Sequence, residues 1–343
     1  MPAMRILFIR PYPVFPELFA GTEMNLHWLC RAFVANGHEV VVAAETAVTA
    51  GTVDHQCGYP IVRAPNFLAA INYAATQYQP DICVVTQPSQ WLGMVPAISD
   101  LPMVIYEQEI STGLNRVPAG LRARAVYIAN SVATAEHLSR EFGIASTVIP
   151  PLFGVDRYGG IMRVGASVLF VSLQHRKGAD VSIQIAQSRP KVPFIFVESW
   201  TEDPAGTQML RERVKAIPNI TLLPNQCELT HIMPKIRLLL MPSRSQEAWG
   251  RTATEAQICG IPVLGSRRGN LPKTIGPGGI TLDPDDPIDR WLKAFDSLMD
   301  DLSVFEEMSR KALEQGRLMM QESKRAFQTF ERILRSVVAG SRA

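Results

Sequence analysis

Glu247 and Glu255, with seven residues between them, lie in Pro242–Pro272, PSRSQEAWGRTATEAQICGIPVLGSRRGNLP. The segment reads as the end of a strand, a turn over Ser243–Gly250, a helix to about Cys259, a strand Pro262–Gly265 and a glycine-containing loop. Glu247 falls before the helix and Glu255 about two turns into it. At ~1.5 Å per residue the two carboxylates are then roughly 12 Å apart along a helix axis. Groups so spaced do not work as a tight acid–base pair, and on spacing alone they are two solvated helix glutamates. A second set of charges, His175, Arg176 and Lys177, ends a strand and opens a helix within Val168–Asp180. The helix dipole opposes positive charge there, so the cluster points to an anionic ligand. Arg268–Gly269–Asn270–Leu271–Pro272 is a further loop at a helix start. It is either a cradle of backbone amides for an anion or a plain left-handed turn.

The motifs that are missing narrow the chemistry. A dinucleotide enzyme needs GxGxxG directly after its first strand, and after Ile9 this chain has RPYPVFPELFAGTE. NAD and FAD are therefore not expected. GxxxxGK[ST], HExxH and GxSxG are absent too. His27, His38, His55, His137 and His231 show no metal-ligand spacing, and Asp283–Asp286 (DPDD) reads as a turn, so no metal is expected. Cys30, Cys57, Cys83, Cys227 and Cys259 form no CxxC pair and read as buried thiols in a reducing compartment.

The elements that must position these residues alternate between strand and helix. Met4–Arg10 reads as a buried strand, Thr22–Asn36 as a helix stopped at Gly37, and His38–Ala44 as a second strand. Asp81–Thr86, Pro102–Glu107 and Ala125–Ala129 are further strands, and Asn130–Ser131 caps a helix over Val132–Phe142. The series restarts after Gly159–Gly160 with strands at Ser167–Ser172, Pro193–Ser199, Asn219–Leu223, Arg237–Pro242 and Pro262–Gly265. Strands alternating with helices give parallel sheets covered on both faces. A chain of 343 residues also favours two cores over one. The expected fold is α/β, with two doubly wound domains, 1–158 and 159–343, and a cleft between them as the natural site. A last helix over about 323–338 either stays on its own domain or crosses back to the first.

With these elements in place, the thirty residues around Glu247 and Glu255 resemble glycosyltransferase family 4, retaining enzymes of GT-B fold. The E-x7-E motif of that family is commonly set in PS..E.(F/W)G...EA...G.PV........G..P. The resemblance covers most of the chain, closely from 165 to 285 and loosely before 150. It implies two facing Rossmann-like domains, with the acceptor on the first and a nucleoside diphosphate sugar (UDP-, GDP- or ADP-linked) on the second. It implies that Glu247 contacts the transferred sugar and Glu255 the ribose, a spacing that fits a ligand spanning a pyrophosphate. Lys177, next to Gly178, matches a lysine that neutralises the departing diphosphate. The family's arginine would fall at Ser172 or Leu173 and is missing, leaving Arg176 or His175 to compensate. Arg268–Pro272 stands where the family has GGxPE, with Asn270 and Lys273 in place of the second glycine and the glutamate.

On the first domain Ala20–Gly21–Thr22–Glu23 resembles the family's GGxE loop, and Gly21 would bring backbone amides to the diphosphate. The family's histidine at the end of the fifth strand is replaced within VIYEQEIS, where Glu107 is a candidate contact for sugar or acceptor, or else a strand-end salt-bridge partner. The resemblance thus implies Glu247, Lys177 and Glu107 as the catalytic set. Donor contacts would come from Gly21, Arg176, Lys177, Asn225, Glu247, Trp249, Gly250, Glu255, Gly269, Asn270 and Leu271. It implies no cofactor, with the departing diphosphate taking the acceptor's proton.

Charge is uneven along the chain. Residues 1–158 hold nine arginines, no lysine and twelve acids, a net −3; residues 159–343 hold 25 basic residues against 20 acids, a net +5. A basic second half suits an anionic donor. No basic tract suggests nucleic acid, and the acidic, lysine-free first half gives no reason to expect attachment to anionic membranes. The proline-broken start MPAMRILFIRPYPVFP reads as a strand and not as a signal peptide, so a cytoplasmic protein is expected. Two other readings share the fold: a sugar-nucleotide epimerase, and a degenerate scaffold or partner subunit without activity.

Overall fold

Ile6, Leu7, Phe8 and Ile9 follow one another without a polar break, and all four are fully buried. A strand with no solvent-facing side must lie inside a sheet covered on both faces, and the computed structural model of the chain has two such sheets. It describes residues 2–46, 51–110, 113–154, 158, 165–201, 203–226 and 228–341. The chain divides into two compact units, Met1–Phe153 with Ser323–Ala343, and Gly154–Glu322.

Unit 1 begins with β1 (Arg5–Arg10), α1 (Gly21–Ala35), β2 (Glu39–Glu45), β3 (Thr52–Asp54), β4 (Ile61–Ala64) and α2 (Phe67–Tyr78). It continues with β5 (Ile82–Val85), β6 (Met103–Glu107), α3 (Ala119–Arg124), β7 (Val126–Ala129), α4 (Val132–Phe142) and β8 (Thr147–Val148). The sheet order is β3-β4-β2-β1-β5-β6-β7-β8. Every pairing is parallel except β3 with β4. The helix over 132–142 forms as expected, with Ser131 Oγ accepting the Thr134 amide and Gly143 ending it in the left-handed region.

Unit 2 contains β9 (Ser167–Val171), α5 (Ala179–Ser188), β10 (Phe194–Val197), α6 (Pro204–Lys215), β11 (Ile220–Leu223) and β12 (Ile236–Met241). Then come α7 (Arg251–Ile258), β13 (Val263–Ser266), α8 (Leu271–Ile275), β14 (Gly279–Leu282), α9 (Ile288–Met299) and α10 (Leu302–Ser341). Its sheet is parallel throughout, in the order β11-β10-β9-β12-β13-β14. The order reverses between β9 and β12, and in such sheets ligands gather at the carboxyl ends beside that switch.

Each sheet is buried by helices on both faces. In unit 1 one face packs Phe8, Leu26 and Phe33 against Ala326, Phe330, Leu334 and Val338 of α10, and the other packs α2 and α4. In unit 2, Ile183, Trp291 and Phe295 cover one face, and Ala253, Ala256, Leu271 and Ile275 the other. The last helix is longer than the expected 323–338, running unbroken from Leu302 to Ser341. Its residues 323–341 belong to unit 1, where Arg335 Nη1 donates to the Pro2 carbonyl at 2.8 Å. The restart at Gly159–Gly160 and Cys227 lie outside the described residues; the other four cysteines are buried and free. No helix among the described residues is long and apolar enough to cross a membrane.

Candidate active site

The carboxyl end of β9 turns sharply. Ser172 has φ +77°, and its Oγ accepts hydrogen bonds from Gln174 Nε2 at 2.9 Å and Ser199 Oγ at 2.8 Å. A single 3₁₀ turn, His175–Lys177, then leads through Gly178 into α5. Gly178 has φ +81°, and a Cβ there would lie 2.0 Å from the Pro242 carbonyl oxygen. The loop after β9 and the loop after β12 can therefore meet only over a glycine. The Arg244 and Ser245 amides confirm the contact, donating to the Arg176 carbonyl at 2.9 and 3.0 Å.

Glu247 sits at this junction, 8% exposed. Its Oε1 accepts from Lys177 Nζ at 2.5 Å and from Ser243 Oγ at 2.7 Å. Burial pushes its carboxyl upward, but the Lys177 ammonium, the hydrogen bonds from Lys177 and Ser243, and Arg176 outweigh that, holding it below the ordinary glutamate value. It is thus ionised at neutral pH. Gly269 closes on it from the β13 side with φ +55°, where a Cβ would be 2.2 Å from the Glu247 carbonyl oxygen. The Asn270 amide donates to that oxygen at 2.7 Å, and the Gly269 amide to Gln246 Oε1 at 2.7 Å.

Glu255 is held differently. The expectation of a position two turns into a helix needs correction, because α7 begins only at Arg251 and Gly250 caps it with φ +88°. Glu255 is therefore one turn in, and a helical rise over the whole interval does not describe its distance from Glu247. A tight left-handed glycine, not helix, occupies the end of the turn. Arg251 Nη2 lies 3.5 Å from Glu255 Oε1 in an i,i+4 pair. Burial raises the Glu255 carboxyl above its ordinary value, with Arg251 and a hydrogen bond from Tyr158 opposing it.

The remaining candidates in unit 2 divide by what their side chains are doing. Trp249 Nε1 donates to Thr254 Oγ1 at 3.1 Å, Asn270 Nδ2 to Thr274 Oγ1 at 3.0 Å, and Leu271 is fully buried in the core. Leu271 can offer a ligand only its backbone, whereas Trp249 and Asn270 each have one side-chain N–H already engaged. Gly250 lies against Leu271, where a Cβ would come within 2.5 Å of Cδ2. Asn225 stands two residues past the edge strand β11, half-buried, with no hydrogen bond tying it to Glu247 among the described residues.

Gly21 and Glu107 belong to unit 1. Gly21 is the first residue of α1, exposed, and preceded by Ala20, whose side chain caps nothing. Glu107 ends β6, 2% exposed, and its Oε1 has no hydrogen-bond partner. Among the described residues it makes no ion pair, unlike the strand-end salt-bridge partner that sequence allowed. Burial, and after it Glu109, raise its carboxyl to about 8 against the pull of Arg10.

Several members of the site went unrecognised in the sequence. Ser243 lies inside the PS pair and Arg251 at an i,i+4 distance from Glu255, and both spacings were legible. Gln246 and Tyr158 carried no local signal.

Residues 167–318 match the family model of glycosyl transferases group 1. The chain is 31% identical over 140 residues to a D-inositol 3-phosphate glycosyltransferase of Mycobacterium marinum, covering 38% of this chain and 30% of that protein. A protein of the same description from Segniliparus rotundus is 28% identical over 202 residues, 50% of this chain and 44% of the relative. The chain therefore spans less than half the length of these curated relatives. Its fold is that of sucrose-phosphate synthase from Thermosynechococcus elongatus, with a TM-score of 0.81 at 16% identity over 98% of this chain and 100% of that one. Anabaena Alr3699/HepE in complex with UDP and glucose gives 0.78 at 20% identity, over 97% and 100%. Two Rossmann-like units of the GT-B class are thus the architecture.

Proposed function

We propose that the protein is a retaining glycosyltransferase that moves a sugar from a nucleoside diphosphate sugar, bound by unit 2, to an acceptor hydroxyl bound by unit 1. The observation that carries the reading is the Lys177–Glu247 pair, its carboxylate buried and its ammonium partly exposed, held where two glycines admit no Cβ, inside the stretch that matches the family model. Lys177 Nζ has three donor positions and gives one to Glu247, so two remain for diphosphate oxygens. Arg176 adds charge beside it, in the place of the family's missing arginine. The amides of Gly269 and Asn270, engaged by Gln246 Oε1 and the Glu247 carbonyl, hold the Glu247 backbone in place. As the anomeric bond breaks, negative charge grows on the diphosphate and positive charge on the sugar ring. A fixed ammonium and a fixed, buried carboxylate match both without rearranging. The departing diphosphate takes the acceptor's proton, and no metal enters the step. Glu255, with Arg251 orienting it, holds the ribose.

UDP is the first nucleotide to test, since HepE was solved with it. A ligand that binds only the folded chain stabilises it by about 2.7 kcal/mol at a hundredfold excess over Kd. UDP should therefore raise the melting temperature in a thermal-shift assay, more than GDP or ADP at equal concentration. No shift with any of the three would remove the donor assignment.

The two glutamates should also fail differently. Ribose is unchanged by the reaction, so Glu255→Gln should act mainly on donor KM. Glu247 faces the ring that gains charge, so Glu247→Gln should lower kcat. Loss of a charge-assisted hydrogen bond at roughly 1.5–3 kcal/mol predicts a drop of about one to two orders of magnitude. Steady-state kinetics on both variants check this, and wild-type constants in both would defeat the assignment.

A further inference from the structure

Three consecutive basic residues follow β9, and each is held differently. His175 Nδ1 pairs with Asp180 Oδ2 on α5 at 2.7 Å. Lys177 Nζ pairs with Glu247 at 2.5 Å. Arg176, between them, is exposed and forms no ion pair among the described residues. One hydrogen bond ties its side chain, from Nε to Gln174 Oε1 at 2.8 Å, while Nη1 and Nη2 have no partner among those residues.

Gln174 is itself held tightly. It is 7% exposed, and its Nε2 reaches Ser172 Oγ at 2.9 Å, Ser199 Oγ at 2.9 Å and the Trp200 carbonyl at 2.8 Å. A carbonyl oxygen only accepts, so the amide nitrogen lies on that side and Oε1 faces Arg176. The main chain is fixed as well, the Gln174 carbonyl accepting from the Lys177 and Ala179 amides at 3.0 and 3.2 Å. Ser172 is anchored in turn to β10, its amide donating to the Val197 carbonyl at 2.8 Å. The loops after β9 and β10 are thus locked together around one glutamine.

An exposed arginine ordinarily keeps its rotamer freedom in water. Tying Nε removes much of that freedom and leaves one edge of the plane open, the fork made by Nη1 and Nη2. Such a fork meets two oxygens of a phosphate or carboxylate at once, in charge-assisted bonds about twice as strong as neutral ones. The Arg176 main chain is anchored too, its carbonyl accepting the Arg244 and Ser245 amides from the loop after β12. Of the two adjacent cations only Lys177 is answered by a carboxylate, so unbalanced positive charge stands at the carboxyl ends of β9 and β12. An anion with several oxygens relieves it.

We infer that Gln174 is a positioning residue, holding the Arg176 guanidinium by Nε so that its Nη1–Nη2 fork meets the diphosphate of the donor. The inference rests on the reading of unit 2 as the donor unit, and it assigns the work of the missing arginine to Arg176 acting through Gln174. Gln174 itself touches no substrate. It sets the plane of the fork and spares the arginine the ordering that a diphosphate would otherwise have to impose. A lysine at position 176 would carry the same charge but neither the Nε donor nor the planar fork.

Calorimetric titration of the full chain with UDP and with inorganic pyrophosphate, at one fixed ionic strength, tests this. Arg176→Ala should weaken both ligands by at least about tenfold, the loss of a charge-assisted contact. Gln174→Met keeps the length and loses the amide, and should weaken both about fivefold, the effect of leaving the arginine to be ordered by the ligand. In the Arg176→Ala background the same change should have no further effect, whereas a merely structural role would carry its loss over in full. Ser199→Ala removes one anchor of Gln174 at a half-buried position. It should weaken both ligands about twofold to threefold, again only when Arg176 is present, and it decides the question if Gln174→Met does not fold. Arg176→Lys should bind no better than Gln174→Met. Wild-type affinity in folded Gln174→Met or in Arg176→Lys, or losses that add to that of Arg176→Ala, would overturn the inference. Pyrophosphate binding that depends on both residues in this way, with UDP bound no more tightly, would support it and count against the nucleotide reading alone. No binding of either ligand by the wild type would overturn both.

Discussion

Glu107→Gln should make the protein more stable than the wild type above about pH 5, with a gain that grows to pH 8 and then levels off. The sign follows from the raised carboxyl. In the unfolded chain a glutamate titrates near 4.3, whereas in the folded chain Glu107 holds its proton to about 8. Between these values the native state binds a proton that the unfolded state has released, so stability falls as pH rises. Below the unfolded value both states are protonated and nothing is lost. Three to four pH units at 1.36 kcal/mol each correspond to a penalty on the order of 5 kcal/mol once the group is fully ionised. Glutamine does not ionise and escapes it. Urea denaturation of both proteins at pH 5, 7 and 9 checks the effect. Parallel stability profiles would mean that Glu107 is ionised and satisfied at neutral pH.

Gly178→Ala should be strongly damaging to unit 2 for an added single methyl. Two effects add at this position. The left-handed φ of +81° strains any residue with a Cβ by about 1–3 kcal/mol. The new carbon would also meet the Pro242 carbonyl oxygen at 2.0 Å, and that oxygen belongs to backbone, not to a flexible side chain. The loops after β9 and β12 must then part, which separates Lys177 from Glu247 and leaves the carboxylate buried without its cation. Uncompensated buried charge commonly costs about 3–5 kcal/mol. A destabilisation above about 3 kcal/mol and loss of UDP-induced stabilisation are expected. Gly143→Ala is the control: its φ is also positive, at +66°, but nothing lies within 4 Å of the added carbon. Chemical denaturation of both variants separates strain from collision, and equal effects would show that the loops can give way.

What was legible in the sequence follows from how local each signal is. β1, β2, β5, β6 and β7 are continuous apolar runs bounded by turn residues, and their positions were readable to within a residue or so. β3, β4 and β14 were not, because TVD and IVRA are short and carry charge, and GITL starts in a glycine cluster that reads as loop. All three lie at or next to the edge of a sheet. Glu247, Lys177 and Gly269 stood out in the sequence because they fall in short contiguous motifs, and the structure brings them together. The Arg10–Glu23–Gln87–Glu109 network was not, since its members come from four separate segments and only the sheet order assembles them. The turn over Ser243–Gly250 and the helix up to about Cys259 were readable, and only the depth of Glu255 within α7 was overestimated.

The placement of the last helix makes the first unit discontinuous in sequence. Phe33 meets Phe327 and Phe330 edge-on at ring separations of 5.0 and 5.9 Å, and Tyr106 meets Phe330 at 5.2 Å. Those partners are added to the chain more than two hundred residues after Phe33. A ribosome adding roughly 5–20 residues per second would leave that aromatic face uncovered for about fifteen to sixty seconds after Phe33 is made. The unit made first is thus finished last. Translation order and folding order run opposite to each other here, and the nascent chain depends on α10, or on a chaperone in its place, to keep that face covered against aggregation.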